Sequence, residues 1–325
     1  METILEIKNL KTHFFTKAGL IKAVDDISFK IKKGEIVGLV GESGSGKSIT
    51  GFSIIGLIDA PGRIVSGSIN FKNEPLLNSS SNRMQSLRGN RLAMIFQDPM
   101  MTLNPVLRID TQMIETIKAH DKNISNQEAF RRCRDTLGLV GISSPEERMK
   151  AYPHQFSGGM RQRVCIAIAM LNKPDLIIAD EPTTALDVTI QGQVIYEMQE
   201  LCKKTGTALL WITHDLAVVA GIASKICVMY AGRIVEQGSV DDIINKPMHP
   251  YTIGLIKSVP SQNKRGEPLH QIEGMVPSML ELPIGCAFHD RCTQTIENCK
   301  IEKPIETNQS DSRVIRCFNF KDIRK

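Results

Sequence analysis

Residues 35–57 constrain this chain more than any other stretch. The apolar run Glu-Ile-Val-Gly-Leu-Val ends at Val40 and is rich in branched side chains, as expected of a strand buried on both faces of a parallel sheet. Gly41, Glu42, Ser43, Gly44, Ser45, Gly46, Lys47 and Ser48 follow, and they match the phosphate-binding pattern G-x-x-x-x-G-K-[S/T] at every position. Residues 48–57 then have helical spacing. A glycine-rich turn between strand and helix lets consecutive backbone N–H groups point inward at phosphate oxygens, where a misplaced Cβ would block approach. The helix N-terminus adds its partial positive charge. The pattern puts Lys47 at the β- and γ-phosphates and the Ser48 hydroxyl on Mg²⁺. A nucleoside triphosphate is therefore the expected ligand.

At 325 residues the chain has room for one large domain with an appendage, or for two domains, and its 42% hydrophobic content supports a real core. The net charge of +5 comes from mixed charges with no basic run longer than two residues, which argues against a nucleic-acid arm. Eight unevenly placed cysteines are too few for a disulfide scaffold of this size, so a reducing compartment is expected. The opening Met-Glu-Thr-Ile-Leu-Glu is acidic and begins an alternating strand pattern, unlike a secretory signal. No apolar run reaches the ~18 to 20 residues that span a bilayer. Any membrane role is expected to need a partner.

Strand patterns occupy residues 4–10, 24–31, 66–71 and 91–96, with a polar loop expected at 78–82. From about 99 to 158 the apolar residues recur at helical spacing, which predicts an inserted helical subdomain. Strands return at 176–179, 208–212 and 225–230, the last forming a hairpin with 233–236. Helices are predicted over 160–171 and 189–203. This alternation predicts a three-layer α/β domain. Phe14 and Phe15 lie between the first two strands, and either ring could stack on a purine base or simply pack at a strand edge.

The strand at 176–179 runs into Asp180 and Glu181. Behind a phosphate loop, the first acid would help to hold Mg²⁺ and the second would orient or deprotonate the attacking water. Gln97 ends a strand and could present its amide to Mg²⁺ or to that water. His214 follows the apolar run 208–213, where it could reach the γ-phosphate or serve as a helix-capping or loop histidine. Ser157, Gly158 and Gly159 open a helix and form a second backbone anion nest. Two nests for one triphosphate make sense if the second closes over the nucleotide of another subunit.

Taken in order, the phosphate loop, Gln97, Ser157-Gly158-Gly159, the strand ending at Glu181, Ala185-Leu186-Asp187 and His214 resemble the nucleotide-binding subunit of an ATP-binding cassette (ABC) transporter. These elements cover some 200 residues. The resemblance implies an α/β P-loop NTPase fold: a RecA-like core, an antiparallel β subdomain, an inserted helical subdomain and a small C-terminal cysteine-bearing extension. The cassette would fill residues 1–245 and the extension 246–325. In that family two subunits sandwich two ATP molecules. Carried over, Lys47, Ser48 and the adjoining Ile49 bind phosphate and Mg²⁺, Phe14 or Phe15 stacks on adenine, Asp180 and Gln97 support Mg²⁺, and Glu181 is the general base. Ser157, Gly158 and Gly159 contact the partner's ATP, Asp187 lies across the dimer interface and His214 is the switch.

Residues 96–105, 152–163, 179–191 and 249–252 more narrowly resemble the peptide and nickel importer branch, and its first, D-type, ATPase subunit above the second. That resemblance implies an ATPase driving uptake of di- and oligopeptides from the cytoplasmic face of the membrane. It also implies two transmembrane permeases, a second ATPase subunit in a heterodimer, an extracytoplasmic substrate-binding protein and no nucleic-acid partner. Nickel, glutathione or an oligosaccharide are alternative cargoes, and a soluble cassette ATPase is the rival class.

Four of the eight cysteines, Cys286, Cys292, Cys299 and Cys317, crowd into the last forty residues. Their spacing, C-x5-C-x6-C-x17-C, lacks the C-x-x-C knuckle of structural zinc and matches neither common ferredoxin run. On spacing alone, metal binding and free buried thiols are equally open, with His289 a possible substitute ligand. Residues 285–292 and 314–317 resemble the tail of the peptide-importer ATPases, which implies a [4Fe–4S] cluster on the four cysteines.

Overall fold

Every residue of the strand β3 (Ile36–Val40) is buried, which explains branched side chains without polar alternation. The computed structural model describes residues 2–184, 186–259, 263, 266, 268, 270–310 and 313–321. Ala185, named above, lies outside the described residues. The chain divides into two units, one of residues 5–30, 36–77 and 212–325, the other of 1–4, 31–35 and 78–211.

The first unit carries the phosphate loop. Its antiparallel sheet has the order β2 (Gly19–Lys32), β1 (Thr3–Thr16), β4 (Gly62–Phe71), β5 (Glu74–Pro75). β1 pairs with β4 from Leu5 opposite Phe71 to Phe14 opposite Gly62, with register shifts around Lys11. Leu5, Ile7 and Leu10 of β1 and Val24, Ile27 and Ile31 of β2 are fully buried. Phe14 and Phe15 therefore lie inside a 14-residue strand and not between strands, a correction to the expected boundary.

In the same unit β3 runs parallel to β9 (Lys225–Tyr230), with Val40 opposite Val228. β9 turns into the antiparallel β10 (Arg233–Ser239) at Ala231 and Gly232, which have φ of 46° and 81°, as a tight hairpin of this hand requires. β12 (Val314–Ile315) adds to β10, and β11 (Thr307–Asn308) adds to β12. The helices are α1 (Lys47–Ile55), α9 (Leu216–Ile222), α10 (Val240–Asn245), α11 (Pro250–Lys257) and α12 (Glu297–Ile301). A Cβ on Gly38 would come within 2.0 Å of Val219 Cγ1, so glycine lets α9 lie directly on β3.

The second unit holds β6 (Leu92–Ile95) parallel to β7 (Leu176–Asp180), with β8 (Ala208–Thr213) beyond β7. Its helices are α2 (Ser81–Leu87), α3 (Pro99–Thr102), α4 (Ile109–Lys118), α5 (Asn126–Leu139), α6 (Pro145–Met149), α7 (Gly158–Met170) and α8 (Val188–Thr205). The predicted helical insertion corresponds to α3 through α6. Ile109, Met113 and Ile117 of α4 recur every four residues and are buried, as are Ala129, Cys133 and Leu137 of α5. The stretch read as a polar loop at 78–82 instead starts α2: Ser80 Oγ accepts the Arg83 N–H and caps the helix. Among the described residues no helix is long and apolar enough to cross a membrane.

Candidate nucleotide site

The phosphate loop is shaped by its glycines. A Cβ on Gly41 would sit 2.1 Å from the Met229 carbonyl oxygen, and one on Gly46, at φ 102°, would sit 2.1 Å from that of Ala23. The space beside Gly44 is open within 4 Å. Gly46 precedes α1, so the free N–H groups of the first helical turn face the loop. Ser45 is buried, Ser43 is exposed and Ser48 is half-buried. Ile49 follows in the first turn, its carbonyl accepting from Ser53 Oγ. Lys47 is buried, and its ammonium donates to the carbonyl oxygens of Gly41 (2.8 Å) and Glu42 (2.9 Å). The lysine thus arches back over the loop whose phosphate it is expected to meet.

Glu42 is held from several directions. Its N–H donates to Tyr251 Oη at 2.9 Å, and its carboxylate receives two parallel bonds from the Arg291 guanidinium, at 2.7 and 3.0 Å. Tyr251 of α11 is fully buried and packs with Tyr230 and Phe288, ring centroids 4.7 and 5.3 Å away. His249 caps α11 by accepting the Tyr251 N–H on Nδ1 at 3.0 Å. Burial pushes its pKa down to about 3, so the ring stays neutral with Nδ1 free to accept. The sequence reading did not assign Tyr251 or Arg291 a role. The signal available was an aromatic directly after the helix-opening Pro250.

In the second unit, β7 delivers two acids to its C-terminal end. Asp180 is buried, with 2% of its surface exposed. Glu181 leaves the strand at φ 46°, a left-handed turn that is uncommon outside glycine. Its Oε2 accepts from Gln97 Nε2 at 3.2 Å and from Thr184 Oγ1 at 3.0 Å. Gln97 and Glu181, 84 residues apart in sequence, are thus brought together. Ser157 caps α7 through the Met160 N–H, leaving Gly158 exposed and uncrowded at the helix start. Asp187 caps α8 through the Ile190 N–H.

His214 is exposed at the end of β8, in the first unit. The helix cap there belongs to Asp215, which accepts the N–H groups of Ala217 and Val218. Phe14 is half-buried against Gly62, and Phe15 is exposed with the Arg63 guanidinium 4.2 Å above its ring.

The four C-terminal cysteines share one neighbourhood. The Cys286 N–H donates to the Cys299 carbonyl at 2.7 Å, an approach that only Gly285 permits, because a Cβ there would lie 2.1 Å from that oxygen. Burial raises the Cys286 thiol to about 11 and the Cys317 thiol to about 12, and the charge of the neighbouring thiols adds to both. Burial also pushes Cys292 upward, with Cys299 contributing. Among the described residues no three His, Cys, Asp or Glu side chains converge as they would on a single metal ion. His289 instead places Nδ1 2.8 Å from the Cys286 carbonyl oxygen and Nε2 3.0 Å from Asp290.

Comparison with known proteins agrees with this layout. Residues 24–184 match the model of the ABC transporter family, and residues 235–299 match the oligopeptide/dipeptide transporter C-terminal region. The chain is 49% identical to the oligopeptide transport ATP-binding protein AppD of Bacillus subtilis, over 99% of this chain and 98% of the relative. It is 46% identical to the oligopeptide transport ATP-binding protein OppD of Escherichia coli, over 98% and 93%. It is also 46% identical to the dipeptide transport ATP-binding protein DppD of Bacillus subtilis, over 98% and 95%. Among solved structures, the ATP-binding cassette MJ0796, a dimer in a post-hydrolysis state bound to ADP and Pi, superposes with a TM-score of 0.67 at 25% identity, covering 73% of this chain and 98% of that one. With a phosphate loop built as an ATPase needs it and relatives aligned over nearly its whole length, this chain belongs to the ATP-binding cassette transporter family, among the ATPases that carry the oligopeptide/dipeptide C-terminal region.

Proposed function

We propose that this ATPase powers the import of di- and oligopeptides from the cytoplasmic face of a membrane. The observation that carries the cargo reading is the near full-length alignment with oligopeptide and dipeptide transport ATP-binding proteins, including the C-terminal region. The chain acts with two permease subunits, a substrate-binding protein outside the membrane and a second, similar ATPase in a heterodimer. Residues 1–245 form the cassette and 246–325 the extension.

The backbone of residues 41–48 cradles the triphosphate, Lys47 turns from the loop carbonyls to the phosphates, and Phe14 supports the base. Ser48, Asp180 and Gln97 would hold Mg²⁺, which when bound neutralises charge on the phosphates. Glu181 is the general base. Its carboxylate is oriented by Gln97 Nε2 and Thr184 Oγ1, while Gln97 keeps Oε1, the end of the amide able to ligate a cation. One side chain can therefore sense both cation and base. Ser157, Gly158 and Gly159 meet the partner subunit's ATP, Asp187 lies at that interface, and His214 reads the γ-phosphate. Catalysis is positioning and charge neutralisation, since phosphoryl transfer asks for little covalent help.

We assign the four cysteines to a structural [4Fe–4S] cluster. Four soft sulfur ligands in one neighbourhood, with the Cys286 N–H on the Cys299 carbonyl, match the donor type that iron–sulfur clusters use. Ligands around one zinc ion would stand about 3.8 Å apart, given Zn–S bonds of about 2.3 Å in a tetrahedron, whereas a cluster of several atoms keeps its ligands wider. Anaerobically purified protein should show broad visible absorption with iron and sulfide. A colourless preparation with stoichiometric zinc would overturn the assignment.

The cargo test is uptake of labelled peptides, with ⁶³Ni²⁺ in parallel, by cells carrying this chain or its Glu181→Gln form. Failure of peptide uptake alone supports both mechanism and cargo. Failure of nickel uptake alone keeps the mechanism and replaces the cargo.

A further inference from the structure

Glu42 is the second residue of the phosphate loop, yet the groups that grip it come from the C-terminal region. The Arg291 side chain, 5% exposed, divides its donors between the Glu42 carboxylate, Tyr230 Oη and the carbonyl oxygens of Glu273 and Ile272. Nη1 and Nη2 take the two Glu42 oxygens at 2.7 and 3.0 Å, Nη1 also reaches Tyr230 Oη at 3.3 Å, and Nε donates to the Glu273 carbonyl at 3.0 Å. A guanidinium fork matched to a carboxylate fixes direction as well as distance. Tyr251 Oη accepts the Glu42 N–H, and Lys47 Nζ donates to the Glu42 carbonyl. The carboxylate and both peptide groups of this one loop residue are therefore tied.

Two consequences follow for a loop that must receive a polyanion. The Glu42 N–H is turned toward Tyr251 and so is withdrawn from the set that can face phosphate, which fixes the loop's curvature. The Glu42 carboxylate, which would repel phosphate, is neutralised by a directly bonded cation.

We propose that Arg291 is a positioning residue for ATP: with Tyr251 it fixes and neutralises Glu42, so the phosphate loop is set from the segment that also bears Cys292. This rests on the phosphate-binding role given to Lys47 and Ser48. Loss of Arg291 leaves a carboxylate unpaired at the mouth of the loop, an arrangement that weakens binding without touching the reacting atoms.

The test measures the affinity of the full-length chain for a fluorescent ATP analogue, and KM and kcat for ATP in the assembled transporter. Arg291→Ala should raise Kd and KM about tenfold, with kcat within about twofold, and Glu42→Gln added to it should bring KM back to within about threefold of wild type. Arg291→Lys, which keeps the charge but loses the fork, should raise KM about threefold and keeps the test open if the alanine variant does not fold. Unchanged KM in the lysine variant and in a folded alanine variant, or a fall in kcat at constant KM, overturns the inference. Lys47→Ala is run beside them. Affinity lost there but intact in the Arg291 variants refutes the positioning role alone, and affinity intact in both refutes the phosphate-loop assignment as well.

Discussion

Glu236 is wholly buried on β10, and among the described residues its cationic partner is Arg313, at 3.1 Å, just ahead of β12. Arg313→Met would remove that partner and leave a carboxylate that still accepts the N–H groups of Met248 (2.8 Å) and His249 (2.9 Å). Breaking a buried pair from one side costs about 3 to 5 kcal/mol, and the two surviving backbone bonds put this case near the lower end, about 3 kcal/mol. For a chain of this size that corresponds to a fall in Tm of roughly 4 to 5 °C. Glu236→Gln in the same chain should recover most of the loss, because an amide needs no counter-charge. Burial already raises the Glu236 pKa above its ordinary value in the intact protein. The folded state therefore binds this proton more readily than the unfolded chain, and the group's contribution is most favourable below the unfolded pKa and worsens as pH rises through the folded one. The Arg313→Met deficit should accordingly be larger at pH 8 than at pH 5.5. Thermal unfolding followed by circular dichroism at both pH values gives the answer. A fall of less than about 2 °C, or a deficit that ignores both pH and the second substitution, would refute the reasoning.

Gly38→Ala should destabilise by about 1 to 3 kcal/mol, because its Cβ would overlap Val219 at 2.0 Å, and Val219→Ala should relieve the clash; additive losses in the double variant would count against this contact. Gly46→Ala should abolish binding of a fluorescent ATP analogue, with φ at 102° and the Ala23 carbonyl 2.1 Å from the new methyl, whereas Gly44→Ala, in open space at φ 77°, should cost no more than about tenfold. Cys133, Cys165 and Cys202 are raised by burial to about 12, so at pH 8 peptide mass spectrometry should find them unalkylated by iodoacetamide until the protein is unfolded.

What the sequence made legible was local. The phosphate loop could be read because each glycine answers a nearby backbone demand, and β3, β7, β8 and β9 because strands buried on both faces carry continuous branched side chains. The strand end at Glu181 could be read the same way, although its left-handed turn could not. Residues 78–82 misled because a cap and a loop use the same polar residues: Ser80 begins a helix whose buried face is only Met84 and Leu87. The clamp on Glu42 was invisible for a different reason. Its partners lie 209 and 249 residues away, and no period or spacing connects them. The cysteines fell between these cases, since their spacing matched no known run until the close approach at Gly285 placed Cys286 against Cys299.

The distance from Glu42 to Arg291 also orders events during synthesis. The 249 positions between them take the ribosome about 12 to 50 s at 5 to 20 residues per second. Throughout that interval the nascent chain contains a complete phosphate-loop sequence without the arginine that holds its second residue. Ribosome-bound chains stopped before residue 291 should therefore hold nucleotide less tightly than chains released at full length, and contacts of such long sequence separation should close late in refolding as well.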